Sequence, residues 1–251
     1  MKRISLIAVL IISVVFLTAQ TPWPVATGLR SRYSADNKFG MNSGVGTSYE
    51  DVWTNSGAKT YLSSAETLAV EGGATDDAGM AGALTVRLIG LDGDYNPVEE
   101  TVTMDGTNPV DTTATFLRLN RMFVVTAGSG GGNAGVIIAK DAGANVIGQI
   151  EIAVNQTLQT HYTVPAGKTM IIGKMFGDVG KNDDASFRLR VRVLGEVFQT
   201  KFNFGIFQSD AQHDFENTLL VAEKSDVVIQ AKSAAGGVIA SAGWNFVLRD
   251  N

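Results

Sequence analysis

A short run in the last third of the chain restricts the fold more than any other. Phe187, Leu189, Val191 and Val193 alternate with Arg188, Arg190 and Arg192. A period of two is the spacing of a strand with one face in a core, because successive side chains point to opposite sides. The four apolar residues are therefore expected to be buried and the three arginines to face solvent. A one-residue change of register would turn every side chain over.

The rest of the chain supplies partners of the same kind. Leu84–Ile89, Val98–Met104 and Phe116–Thr126 read as three strands separated by Asp92–Pro97 and Asp105–Pro109. Glycine supplies positive φ, proline withholds a ladder donor, and Asp or Asn bonds its own backbone, so these clusters are turns. Further strands are expected at Lys59–Leu62, Glu66–Val70, Val136–Ala139, Val146–Ile152, Leu158–Val164, Thr169–Phe176, Phe198–Phe207, Asp214–Val221, Val227–Ala231 and Trp244–Leu248. No helix is expected beyond the N-terminal run. Short strands at spacings of roughly 8–12 residues indicate an all-β fold of sandwich type, with the jelly roll as one solution. The expected organisation is a β-sandwich-like unit over residues 58–153 and a jelly-roll-like unit over 154–251.

Two segments precede these units. Residues 1–20 hold Met1-Lys-Arg and an apolar run from Ile4 to Ala19. Three readings stay open for it: a secretory signal peptide with a poor cleavage site, a short membrane anchor, or a start placed too far upstream. Residues 21–57 are polar and broken by glycine, with Tyr33, Phe39, Tyr49 and Trp53 spaced along them. They are expected to form an extended arm with little regular structure, ordered against a neighbouring subunit, and the four aromatic residues read equally as pins onto a neighbouring surface or as local anchors on their own domain.

The charge balance and the motifs exclude several functions. A net charge of −5 gives no support to nucleic-acid binding, which needs a basic footprint. With no cysteine there are no disulfides and no thiolate metal sites. Gly130-x-Gly132-x-x-Gly135 has dinucleotide-binding spacing, but Val136-Ile-Ile-Ala follows it as a strand, so a hairpin loop is the better reading. Asp92-x-Asp94-x-Asn96 begins like a calcium loop and then places Pro97 and Thr103 where glycine and glutamate are required, so it reads as a turn. Asp76-Asp77 and Asp183-Asp184 read as solvated loop charges. His161 and His213, the two histidines, lie in no catalytic motif and read as structural or interfacial. The Arg188/Arg190/Arg192 row could bind an anion, but reads first as the solvated face of a strand. Asn155-Gln-Thr157 matches the glycosylation pattern by a single hit. No catalytic, cofactor-binding or metal-ligating residue is assigned.

The ordered series Glu50–Trp53, Tyr61–Glu66, Gly90–Asn96, Glu100–Met104, Phe116–Arg121 and Ala127–Gly130 resembles one group of proteins. Tyr162–Lys168, Phe187–Arg192 and the closing Val247–Asn251 continue the likeness. The group is the small virion-associated structural proteins of tailed bacteriophages. The resemblance implies a non-enzymatic virion component: a head-decoration, fibre-base or tail accessory protein, located in the virion. It implies self-association as a homotrimer, attachment to other virion proteins and no cofactor. Membrane contact is expected only if residues 1–20 anchor the chain. The signal-like N-terminus departs from the group and leaves an alternative: a secreted, periplasmic or surface-exposed β-sandwich module binding glycan or serving adhesion. The run Phe198, Phe202, Phe204, Ile206 and Phe207 is expected to be an exposed contact surface.

Overall fold

The computed structural model describes residues 25, 27–73, 76, 81–180 and 182–251. The fold of these residues is all-β, with every sheet antiparallel. The apolar run of residues 1–20 lies outside them, and among the described residues no helix is long and apolar enough to cross a membrane.

The described residues build two large hydrophobic cores and a small third cluster of Leu91, Tyr95 and Leu117. One lies in the middle of the sequence. Its strands are β3 (Ala69–Glu71), β4 (Ala83–Leu91), β5 (Pro97–Thr103), β6 (Val110–Asp111), β7 (Arg118–Ala127), β8 (Ile137–Lys140) and β9 (Val146–Ile150). They form a sheet of order β6-β3-β8-β9 and a sheet of order β5-β4-β7. Leu68, Val86, Leu88, Phe116, Met122, Ile137 and Ile150 meet between them.

The other core is discontinuous in sequence. Its strands are β1 (Tyr33–Val45) and β2 (Glu50–Asp51), then β10 (Tyr162–Thr163), β11 (Lys168–Val179), β12 (Asp184–Arg192), β13 (Gln199–Phe207), β14 (Asp210–Val221), β15 (Asp226–Lys232) and β16 (Val238–Asp250). Sheet I has the order β1-β16-β11-β14; sheet II has β10-β15-β12-β13, with β2 also on β15. Met170, Ile172, Met175, Trp244 and Phe246 from sheet I pack on Phe187, Leu189, Val227 and Ile229 from sheet II. The pairing is that of a long hairpin folded over. The first strand pairs with the last, β2 and β10 with β15, β11 with β14, and β12 with β13. β11 and β12 then join β16 and β15 across the fold.

The expected arm is corrected here. Residues 33–45 form β1, paired along its length with β16 of the same chain, and Val45 and Val52 sit in the core. The inward positions of β1 are Lys38, Gly40 and Asn42, which carry no apolar periodicity. Close approach explains the glycine: a Cβ on Gly40 would lie 2.4 Å from the Val52 carbonyl oxygen and 2.8 Å from the Thr160 nitrogen. Lys59–Leu62, expected as a strand, is an unpaired extended connection. Leu158–Val164 contributes only the two residues of β10.

The diagnostic alternation holds through β12. Phe187, Leu189 and Val191 are buried. Val193 lies past the end of the strand, just before the Gly195 turn (φ +83°), and is 37% exposed. The arginines are half-buried rather than solvated. The Phe198–Phe207 run is corrected too. Phe202, Phe204 and Ile206 turn inward onto the core, and Phe207 alone is strongly exposed.

Candidate functional site

The outward side chains of β12 begin a row of cations and aromatic rings that crosses from one unit to the other. At one end Lys232 Nζ and Arg188 Cζ lie 4.8 and 3.9 Å from the Tyr49 ring centroid. Arg190 and Arg192 stand 5.2 and 4.6 Å from the Phe198 ring. Arg192 also lies 4.3 Å from the Tyr61 ring, which Arg118 approaches at 5.1 Å. Arg118 and Lys224 approach Tyr95 at 5.8 and 5.7 Å. Tyr95 is aimed by a left-handed backbone (φ +69°) in the β4–β5 turn. Each contact contributes about 0.5–1 kcal/mol where exposed and more where desolvated.

The row is not uniformly neutralised. Asp226, whose side chain is 4% exposed, accepts from Arg118 Nε at 2.9 Å, Arg192 Nη2 at 2.6 Å and Thr163 Oγ1 at 2.6 Å. Burial opposes its charge, but the bonds and charge of Arg118, then Thr163 and Arg192, outweigh that and hold the carboxyl below its usual range. Among the described residues, Arg188 and Arg190 have no carboxylate partner. Arg188 Nε and Nη2 donate to Gln230 Oε1 at 2.9 and 2.6 Å, and Arg190 Nη1 reaches the same oxygen at 3.4 Å.

Beneath the row, the outgoing and returning connections between the units run side by side and bridge at Trp53 and Gln159. Here Asp51 is buried. It accepts from the Lys59 backbone N–H and Gln230 Nε2, and meets His161 Nε2 at 2.8 Å. Burial works against the Asp51 charge, and these donors outweigh it. Burial likewise holds His161 below its usual pKa, against the charge and hydrogen bond of Asp51, and the ring lies edge-on to Trp53. Lys59 Nζ donates to the Leu119 carbonyl at 2.9 Å, and Lys38 Nζ to the Asn120 carbonyl. Burial brings both lysines down to about 7. Tyr61 and His161 line a cavity of about 10 Å³, about one water in size, and the Tyr61 hydroxyl and His161 Nδ1 have no partner among the described residues.

The other residues singled out in the sequence fall elsewhere. The Gly130–Gly135 stretch is the loop between β7 and β8, closed by Gly130 N–H to the Ala81 carbonyl. Asp92 Oδ1 accepts the Asp94 and Asn96 N–H groups, which makes the segment a turn. Asp76 is not solvated: it is fully buried and accepts the N–H groups of Ala83, Ala134 and Gly135. Asp77 lies outside the described residues. Asp183 and Asp184 are half-buried at the start of β12. His213 stacks on Phe202 with 4.2 Å between ring centroids. The Asn155 side chain accepts the Asn133 N–H at 2.9 Å, and Thr157 is buried. Among the described residues no three His, Asp or Glu side chains are grouped to hold a metal ion. Sequence reading found the three β12 arginines. It placed Tyr49 on the arm and Phe198 in an apolar contact run, and did not join them, Tyr61, Tyr95, Arg118 or Asp226 to the arginines, because these residues are scattered along the chain and meet only in the fold.

No family model and no curated protein matches the chain. Among solved structures, one titled "Structure of infectious bursal disease virus Gt strain" aligns with 87% of this chain and 72% of its own, at 8% identity and a TM-score of 0.20. A second, of the Gx strain, aligns with 88% and 82%, at 8% identity and a TM-score of 0.13. Scores this low carry no argument about fold or function.

Proposed function

We propose that the chain is a non-enzymatic structural component of a virion, a head-decoration, fibre-base or tail accessory protein that self-associates and attaches to a particle. The outer face of sheet I carries this reading. Phe39 (41% exposed), Ile239 (52%) and Leu220 (61%) stand on it, with Ile171, Phe176 and Val247 half-buried among them. The pairing register puts all six on one side of the sheet. Beside them a groove of about 940 Å³ runs between the segment around Arg30–Asn37 and a bulge of β14, where residues 215–218 stand opposite Gly173. Exposed apolar groups gathered on one side of a sheet support a contact surface there.

The strand order supports a jelly roll for the unit built on sheets I and II. Counting β2 with β10 as one position, the sheets read first-eighth-third-sixth and second-seventh-fourth-fifth. Jelly rolls serve as capsid domains and as lectins, so the fold agrees with a virion role and with a binding module. The trimer number rests on the sequence resemblance. Light scattering on the full chain tests the proposal, with a closed oligomer expected, together with mass spectrometry of purified particles. A monomer at high concentration that is absent from particles overturns it.

A further inference from the structure

We propose that Arg188 and Arg190, on the outer face of sheet II, form a binding site for the carboxylate of an acidic saccharide. The inference goes beyond the assembly reading, which concerns the opposite sheet.

The two guanidinium groups project from the same side of β12, two residues apart and so about 7 Å along the strand. Their one shared side-chain acceptor is Gln230 Oε1, which three of their nitrogens approach. A carbonyl oxygen has two lone pairs, so it cannot satisfy three donors well. Arg190 Nη2 is used by the Phe198 carbonyl at 2.8 Å, and buried Arg190 Nε has no acceptor among the described residues. The neighbouring carboxylates are committed elsewhere: Asp51 to Lys59, Gln230 and His161, Asp226 to Arg118 and Arg192, and Glu50 to the Gly46 and Gly57 N–H groups. Lys232, over the Tyr49 ring, adds a third positive charge. The row therefore has a paired carboxylate at its Asp226 end, while at its Tyr49 end Arg188, Arg190 and Lys232 have none within ion-pair distance among the described residues, Asp51 acting on Arg190 only at longer range.

A carboxylate is the group that matches a guanidinium fork in charge and shape. What surrounds the fork selects its carrier. Asn203 and Thr200 lie opposite Arg188 and Arg190 in the β12–β13 register, exposed, and offer amide and hydroxyl groups to sugar hydroxyls. The nearby rings of Tyr49 and Phe198 already carry cations. A ring that already holds a cation is a poorer platform for stacking a neutral sugar.

The test is calorimetric titration of the full chain at low ionic strength with tetragalacturonate, its fully methyl-esterified form, and tetraglutamate. Binding of the free acid is expected, weakened tenfold or more by esterification and by Arg188→Gln or Arg190→Gln, and by added salt. Arg190→Lys, which keeps the charge and loses the fork, should weaken it as well. Lys201→Gln, on an exposed side chain that bonds only Gln199, should not. If an arginine variant fails to fold, the ester comparison and Lys232→Gln decide the matter on folded protein. Absence of binding at millimolar acid, equal binding of the ester, or tetraglutamate binding as tightly as the saccharide would each overturn the proposal.

Discussion

The two outer faces of the sheet I/sheet II unit treat polar groups in opposite ways. On sheet I the apolar groups of the face stand in the open, and the ion pair described there, Lys174 with Asp214 at 3.3 Å, has the carboxylate 71% exposed. On sheet II the face is charged, covered along β15 and open toward β13. The connection through Lys59–Leu62 lies over it, and Asp226, Asp51, His161 and Lys59 are buried beneath. The difference follows from where the middle unit is inserted. Its two connections leave and return beside β15, so the side of sheet II becomes an internal seam and sheet I is left bare. Similar charges thus do different work: in the seam they fix the position of one unit on the other, and on sheet I they rim a surface free to meet something else.

The largest expected effect breaks the seam. Asp226→Ala leaves Arg118 and Arg192 with their shared partner removed, and Arg118 is 11% exposed. Removing one partner of a buried pair costs about 3–5 kcal/mol, because the remaining charge is stranded. Urea unfolding at neutral pH measures it. A loss under about 1 kcal/mol would mean that water reaches the arginines and the seam is open. Leu189→Ala, in the core shared by both sheets, is expected to cost about 2–5 kcal/mol as a purely apolar reference.

The seam should also give the protein a pH dependence that sheet I does not. Lys38 and Lys59 titrate near 7 when folded, burial being the main cause in each, against 10.5 when free. The Lys38 charge adds to the effect on Lys59, while Asp36 opposes it on Lys38 and Asp51 on Lys59. Between those values the unfolded chain holds more protons, so stability rises with pH from about 7 toward 10.5. Tyr61 and Tyr162 act the other way: burial raises both, so their contribution is intact below 10 and is lost as pH rises above it. On the acid side, His161 is held below 6.5, and its contribution is lost as pH falls from 6.5 through the folded value. The Asp51 and Asp226 contributions are lost as pH falls below 3.8. The expected unfolding midpoint therefore climbs from pH 7 to about 10, then declines. A flat or falling midpoint between 7 and 9.5 would show that the lysines remain charged and hydrated.

How far the sequence discloses this depends on whether a residue's role is local. Strands with one apolar face are legible: the alternation at Phe187–Val191 places β12, and β4, β5, β7, β11, β15 and β16 coincide with apolar runs between turn residues. β1 is not legible, because its inward positions abut backbone and a polar seam and so hold Lys38, Gly40 and Asn42. Without β1, residues 33–53 read as an arm, although they complete a core otherwise built from residues 164–246. Asp76 reads as a loop charge because the N–H groups that bury it come from Ala83, Ala134 and Gly135, the last two nearly 60 residues away. The row of cations and rings fails the same way: three arginines are adjacent in sequence, while Tyr49, Tyr61, Tyr95, Arg118 and Asp226 are brought to them from both units.

The smallest expected effect on stability falls on sheet I, and it is where the comparison is sharpest. Phe39, Leu220 and Ile239 are each more than 40% exposed, so Phe39→Ser, Leu220→Ser and Ile239→Ser should each change stability by no more than about 0.5 kcal/mol in the monomer. Asp214→Ala, which breaks the exposed pair with Lys174, should cost about 0–1 kcal/mol, against the several expected for Asp226→Ala. If copies meet through this face, the serine variants carry a second signature that the seam variants lack. Sedimentation velocity should show the oligomer dissociating, and the thermal midpoint should lose its dependence on protein concentration, because association stabilises only the folded form. Unchanged association in the triple serine variant would place the contact elsewhere. A large loss of stability in the monomer would mean that this face is already packed against the chain's own residues.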